Sequence, residues 1–197
     1  MKNHLSGMSL VFLLILVVTP AISVADNVSD SKQMWDSGKA FWDERKYDEA
    51  LLSFTNATTL NPENIDAWYY TGLTLARLGR NEEAIVAYDT VSQLDPANAA
   101  AWFNKGTNLV TLNRTEEALK AYDTAISLDP AYAFPWYNKG NIQADAGEYE
   151  AALKSYSRAI DLDPTFTIAW KGKGSMLAKL GRTSESVDAF NTAHQLE

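Results

Sequence analysis

The chain has 197 residues, 46% of them apolar and 21% charged, which is a globular composition and neither a disordered nor a collagen-like one. It contains no cysteine, so disulfides, thiolate metal sites and a cysteine nucleophile are excluded, and its two histidines, His4 and His194, stand at opposite ends, which argues against an imidazole metal centre. A net charge of −8 makes nucleic acid a poor partner, because the phosphate backbone repels it.

Residues 1–25 read differently from the rest. Lys2 precedes an unbroken apolar run from Leu10 to Val18, and Pro20 breaks it. Ser23-Val24-Ala25 then places small residues three and one before a cut ahead of Asp26. This order predicts a secretory signal peptide over 1–25. A membrane anchor is the alternative, since Leu5 to Val24 runs 20 residues without a charge. Both readings keep Lys2 inside and place the folded part outside the cytoplasm, secreted or tethered. Membrane contact is expected only through residues 5–24, and only if they are retained. Residues 26–30 read as a short linker.

From residue 31 onward a 34-residue period organises the chain. Proline recurs at 62, 96, 130 and 164, preceded by Leu60-Asn61, Leu94-Asp95, Leu128-Asp129 and Leu162-Asp163. Glycine recurs at 38, 72, 106, 140 and 174, and tryptophan at 68, 102, 136 and 170. Aromatic residues recur at 54, 88, 122, 156 and 190, and alanine at 50, 84, 118 and 152, with Ser186 in the fifth place. Five units follow: 31–64, 65–98, 99–132, 133–166 and a clipped 167–197.

Each unit reads as two helices. In 99–132, Trp102, Gly106, Leu109 and Val110 share one helical face, and Asn113-Arg114-Thr115 forms a turn. Ala118, Tyr122, Ala125, Ile126 and Leu128 mark a second apolar face. Thr115 is the expected N-cap, Glu116-Glu117 suit the helix dipole, and Pro130 stops the second helix. Gly106 and Ala118 predict a close approach of the paired helices. One hairpin cannot bury its own face, so the units are expected to stack.

These marks resemble the tetratricopeptide repeat (TPR) family, over about 167 of the 197 residues. The resemblance implies an all-α solenoid of five helix-turn-helix repeats in a right-handed superhelix, preceded by the signal or anchor helix. Unit one departs from the pattern, with Met34 in the tryptophan place and Trp35 beside it. The polar capping helix usual in the family is not seen after the fifth unit, so Val187, Phe190 and Ala193 are expected to be less well covered.

The resemblance also places function. The first helix of each unit lines a concave groove through family places 2, 5, 6, 9, 12 and 13. Place 5 gives Trp35, Tyr69, Phe103, Tyr137 and Lys171, place 6 gives Asn104 and Asn138, and place 9 gives Lys39, Leu73, Thr107 and Asn141. The aromatics offer apolar area to an extended peptide, and the asparagines can donate to and accept from its backbone at once. The same aromatics and asparagines are common in generic units, where they support packing. The lining places carry five cations against four carboxylates, so the acid excess falls on the outer surface, and a neutral-to-acidic peptide is expected. Lys105, Lys139 and Lys173 occupy a usually apolar place, where their stems are expected to pack while the ammonium groups reach water. A chaperone-type carboxylate clamp does not fit, because its first lysine place is aromatic in four units.

Neither a phosphate loop nor a GxSxG motif is present, and no paired carboxylates sit in an expected cleft, so the chain is not read as an enzyme. No cofactor or metal is implied. The sequons at Asn27, Asn56 and Asn113 leave glycosylation open. The leading expectation is an extracytoplasmic scaffold holding a protein or peptide partner. The alternative is a structural subunit of an envelope assembly, or a self-associating array, that uses the uncapped C-terminal repeat.

Overall fold

The computed structural model describes residues 24–197. The signal or anchor reading therefore lies outside the described residues up to residue 23. Among the described residues there are ten helices and no strand. They are α1 (Val24–Asp43), α2 (Tyr47–Leu60), α3 (Ile65–Arg77), α4 (Asn81–Leu94), α5 (Ala99–Thr111), α6 (Thr115–Leu128), α7 (Ala133–Asp145), α8 (Tyr149–Leu162), α9 (Thr167–Lys179) and α10 (Thr183–Gln195). The 26–30 segment, expected as a linker, forms the first turns of α1. No helix among the described residues is long and apolar enough to cross a membrane.

The repeated residues explain why the helices start and stop where they do. α2, α4, α6 and α8 each end two residues before the repeated proline. The preceding Asn61, Asp95, Asp129 or Asp163 then accepts from the backbone N–H two residues on, at 2.9–3.2 Å, closing the turn. Within each unit the hairpin needs one residue with positive φ. Gly79, Gly147 and Gly181 supply it in three units, and Asn113 (φ 57) and Arg45 (φ 60) take that place in the other two.

The N-terminus of α6 corrects one expectation. Thr115 is already helical and caps nothing; Arg114 is the N-cap residue, and it has no side-chain cap bond. Instead Arg114 donates two hydrogen bonds to Glu117, at 2.8 and 2.6 Å. Arg80 to Glu83 and Arg182 to Glu185 repeat the device. The pair ties the N-cap residue to the first helical turn from outside.

Packing inside each unit follows the glycine and the aromatic. A Cβ built on Gly38, Gly72, Gly106 or Gly140 would stand 2.6–2.8 Å from the ring of Phe54, Tyr88, Tyr122 or Tyr156. The rings are buried because the glycines leave them room. Ala50, Ala84, Ala118 and Ala152 are fully buried beside them. Each helix packs on its chain neighbours, and from α1 to α9 each odd helix also touches the next odd one. Even helices make no such contact with one another. The odd helices therefore converge on the inner, concave side of the solenoid, and the even helices splay on the outside.

Candidate functional site

The inner wall gathers the aromatics expected there and several that were not. In units one and two, the Trp35 ring packs edge-on to Tyr70 at 6.1 Å, and Trp42 does so at 6.0 Å. Tyr69 packs against both Tyr70 and Tyr88 at 6.0 Å. The Trp35 indole N–H is buried without an acceptor, so this residue serves as apolar wall. The Lys39 ammonium, on the same helix, binds Asp43 and lies 5.7 Å from the centre of the Tyr70 ring. Its hydrogen bond to Asp43 raises its pKa, so it stays charged. Leu73 is half-buried and packs on the Leu75–Tyr88 core.

Units three and four carry a continuous aromatic strip. Phe103 meets Tyr132 at 5.1 Å and Phe134 at 6.1 Å; Phe134 meets Phe166 at 5.0 Å; Phe166 meets Tyr137 at 5.2 Å. Phe134 is 50% exposed. The strip runs from α5 across α7 to α9, along the line where odd helices touch.

Tyr132 and Phe166 were missed as site residues because their place reads as a helix cap. In the first two units that place is Asn64 or Asn98, and each side chain accepts from the backbone N–H three residues on at 3.0 Å, capping α3 or α5. In the next two units it is Tyr132 or Phe166, and α7 and α9 begin without a side-chain cap. The signal was an aromatic residue standing where the first two units have asparagine.

The asparagines are engaged inside the fold. Asn104 Nδ2 donates to the Tyr69 hydroxyl of the preceding unit at 2.9 Å, and Asn138 Nδ2 donates to that of Tyr122 at 3.1 Å. Asn141 Oδ1 accepts from the Tyr156 hydroxyl at 2.7 Å. Thr107 accepts from Tyr122 at 3.4 Å and donates to the Phe103 carbonyl at 3.1 Å. Each of Asn104 and Asn138 keeps its Oδ1 and a second N–H. Burial raises the pKa of Tyr69 while the Asn104 bond lowers it, with burial the larger effect, so its phenol is neutral and free to donate. Lys171, at the end of the row, pairs with Glu197 and holds that carboxyl below its ordinary range. The structure thus brings Phe103, Tyr137, Asn104, Asn138, Thr107 and Asn141 onto one wall. It joins Trp35, Lys39 and Tyr69 in a second cluster and leaves Lys171 apart, on α9. No group of metal-binding side chains occurs among the described residues.

Tetratricopeptide repeat family profiles match residues 36–91, 106–147 and 133–166. The chain belongs to the tetratricopeptide repeat family. No curated protein matches it. Among solved structures it resembles the TPR fold of MamA, at 24% identity and TM-score 0.76 over 86% of this chain and 92% of that one. MamA from Desulfovibrio magneticus RS-1 matches at 21% identity and TM-score 0.76, over 89% and 97% of the two chains. YrrB, described as a TPR protein with an unusual peptide-binding site, matches at 18% identity and TM-score 0.68, over 88% and 90%. At these identities the likeness concerns the fold.

Proposed function

We infer that the chain is an extracytoplasmic TPR scaffold that holds an extended, neutral-to-acidic protein segment along its inner wall. The observation that carries this reading is the aromatic strip. Tyr132 and Phe166 stand where asparagine caps the earlier helices, at a cost of about 1 kcal/mol per lost cap. Half of Phe134 faces water on the concave side. Phe166 is only 9% exposed and packs against Phe134 at 5.0 Å, so the exposed ring is held in place by a buried one, and an aromatic fixed in this way suits recognition, since such residues anchor interfaces. Asn104 and Asn138 retain the groups needed to hold a peptide backbone beside the strip. The peptide-binding site named for YrrB supports the same use of the fold. The charged start, apolar run and acidic flank of residues 1–30 support the location. Nothing in the wall supplies a nucleophile with a base, so binding is favoured over catalysis.

The test is selection of peptides from a displayed random library against the full chain, followed by polarisation titrations. Phe134→Ala and Tyr137→Ala are expected to weaken the selected peptides about tenfold, in line with hot-spot truncation. Unchanged affinity in both variants would move the site elsewhere.

One observation favours the second reading, self-association. Val187 (52%) and Phe190 (41%) on α10, and Leu196 (39%) just after it, are exposed. Light scattering across a concentration series decides this point, since a monomer at all concentrations rules it out.

A further inference from the structure

The outer face carries a periodic ion pair that stops in the fourth unit. Lys105 on α5 pairs with Asp89 on α4, its ammonium 5.1 Å from the centre of the Trp102 ring. Lys139 on α7 pairs with Asp123 on α6 at 2.6 Å, above Trp136 at 5.9 Å. Each pair ties a unit to the one before through residues sixteen apart. Lys173 on α9 repeats the lysine, and Trp170 repeats the ring at 4.9 Å. Sixteen residues back, however, stands Ser157. Lys173 makes no ion pair among the described residues, and the Ser157 hydroxyl makes no hydrogen bond there.

A pocket of ≈ 560 Å³ opens at this place, between α8 and α10. Lys154 and Arg158 line it from α8, one turn apart, and like Lys173 they make no ion pair. Arg182 and Glu185 pair on the α10 side, and Glu185 also faces Lys173 without forming an ion pair with it; the Arg182 bond, helped by the charge of Lys173, holds that carboxyl below its ordinary range. Glu150 and Asp161 also line the pocket, four residues before Lys154 and three after Arg158. Three unpaired cations thus converge in a chain whose net charge is −8. The position of Lys154 holds Leu52 and Val86 in the first two units and Lys120 in the third, so the concentration belongs to unit four.

We propose that this outer pocket docks an acidic segment of a partner protein. One partner carboxylate takes the place beside Lys173 that Asp89 and Asp123 hold in the preceding units. Ser157 donates its hydroxyl to that carboxylate, and Lys154 and Arg158 receive the next acids along the segment. Glu150 and Asp161 bracket the row and repel acids beyond it, which limits the docked stretch to a few residues. This surface lies on the even-helix side, opposite the aromatic strip, so the scaffold can hold two partners at once.

The probe is a fluorescent eight-residue peptide of alternating glutamate and alanine, with a glutamine version as control, titrated at low salt against the full chain. The glutamate peptide is expected to bind and the glutamine version not to. Lys173→Ala should weaken binding about 2- to 5-fold, the range of one exposed ion pair. Ser157→Asp rebuilds the internal pair and should weaken binding at least as much, while its melting temperature holds or rises. Ser127→Asp, which adds the same charge on α6, should leave the affinity unchanged. Wild-type affinity in Ser157→Asp would overturn the proposal. So would an equal loss in Lys120→Ala, which would mean a diffuse field. Inorganic phosphate that binds with the same dependence on Lys173, while the glutamate peptide does not bind, would make this a site for a free oxyanion and also overturn it.

Discussion

The ring of Tyr122 lies so close on Gly106 that a Cβ there would stand 2.6 Å from it. Tyr122 is 1% exposed and its hydroxyl receives the Asn138 amide, so the ring cannot move aside without breaking a contact to the next unit. Gly106→Ala should therefore destabilise the chain by about 1–3 kcal/mol. Gly174→Ala is the matched control. Its nearest ring atom is 3.0 Å away, on Phe190, which is 41% exposed and can shift. The alanine there gains about 1 kcal/mol of helix propensity, so the net change should be near zero or stabilising. Urea unfolding followed by circular dichroism separates the two. Equal losses would mean that the rings are equally fixed.

The asparagine caps differ in a measurable way. Asn98→Ala removes the bond to the Ala101 N–H and a long amide bond to the Asp95 carboxylate at 3.4 Å, which water can replace, and should cost about 1 kcal/mol. Asn64→Ala should cost more. Its amide also donates to the hydroxyl of Ser31 at 3.1 Å, and that buried hydroxyl donates to the Ala57 carbonyl at 2.8 Å. The mutation leaves part of this chain unsatisfied in the interior. Denaturation midpoints of the two variants, compared at equal m-value, check the order.

The 34-residue period made the units and the glycine–aromatic contacts readable from sequence, because each contact lies within one hairpin at fixed spacing. The ends of α2, α4, α6 and α8 were readable too, since Pro62, Pro96, Pro130 and Pro164 stop them by covalent geometry. The side-chain chemistry of the wall was less so. Asn104 finds Tyr69 across a unit boundary, 35 residues away, and nothing local marks that pairing. The N-cap residue of α6 is Arg114 rather than Thr115, as Lys46 and Glu148 are at the same place in other units where no such pair forms, a register that cap preferences alone do not reveal. The aromatic strip needed two readings of one position, cap in the early units and wall in the later ones.

Alkaline pH should weaken the fold. Burial pushes Tyr132 and Tyr156 up to about 12 from the ordinary 10.0, and Tyr69, Tyr88 and Tyr122 also rise, chiefly through burial. Above pH 10 the unfolded chain loses phenolic protons that the native state keeps. The unfolded state then binds fewer protons, and stability falls as pH rises through about 12. Below pH 10 these groups contribute no slope. Urea midpoints between pH 8 and 12 should show a plateau and then a decline, and Tyr156→Phe should make the decline shallower. A flat profile would mean that these phenols are open to solvent.

Tyr132→Asn separates binding from folding at one position. The substitution restores the residue that caps α3 and α5, and a cap is worth about 1 kcal/mol. It also removes the contacts with Phe103 at 5.1 Å and Phe134 at 6.0 Å, and an aromatic pair is worth about 0.5–1.5 kcal/mol. The regained cap offsets part of that loss, so the net destabilisation should stay below about 2 kcal/mol. Affinity for a segment held on the inner wall has no such compensation, because asparagine offers the strip no ring. Peptides selected on the parent should bind Tyr132→Asn several-fold more weakly at temperatures where both proteins are fully folded by their melting curves. Binding that survives the exchange intact would show that the aromatic at this position serves packing alone. The strip's anchor would then have to be Phe134 and Tyr137 without it.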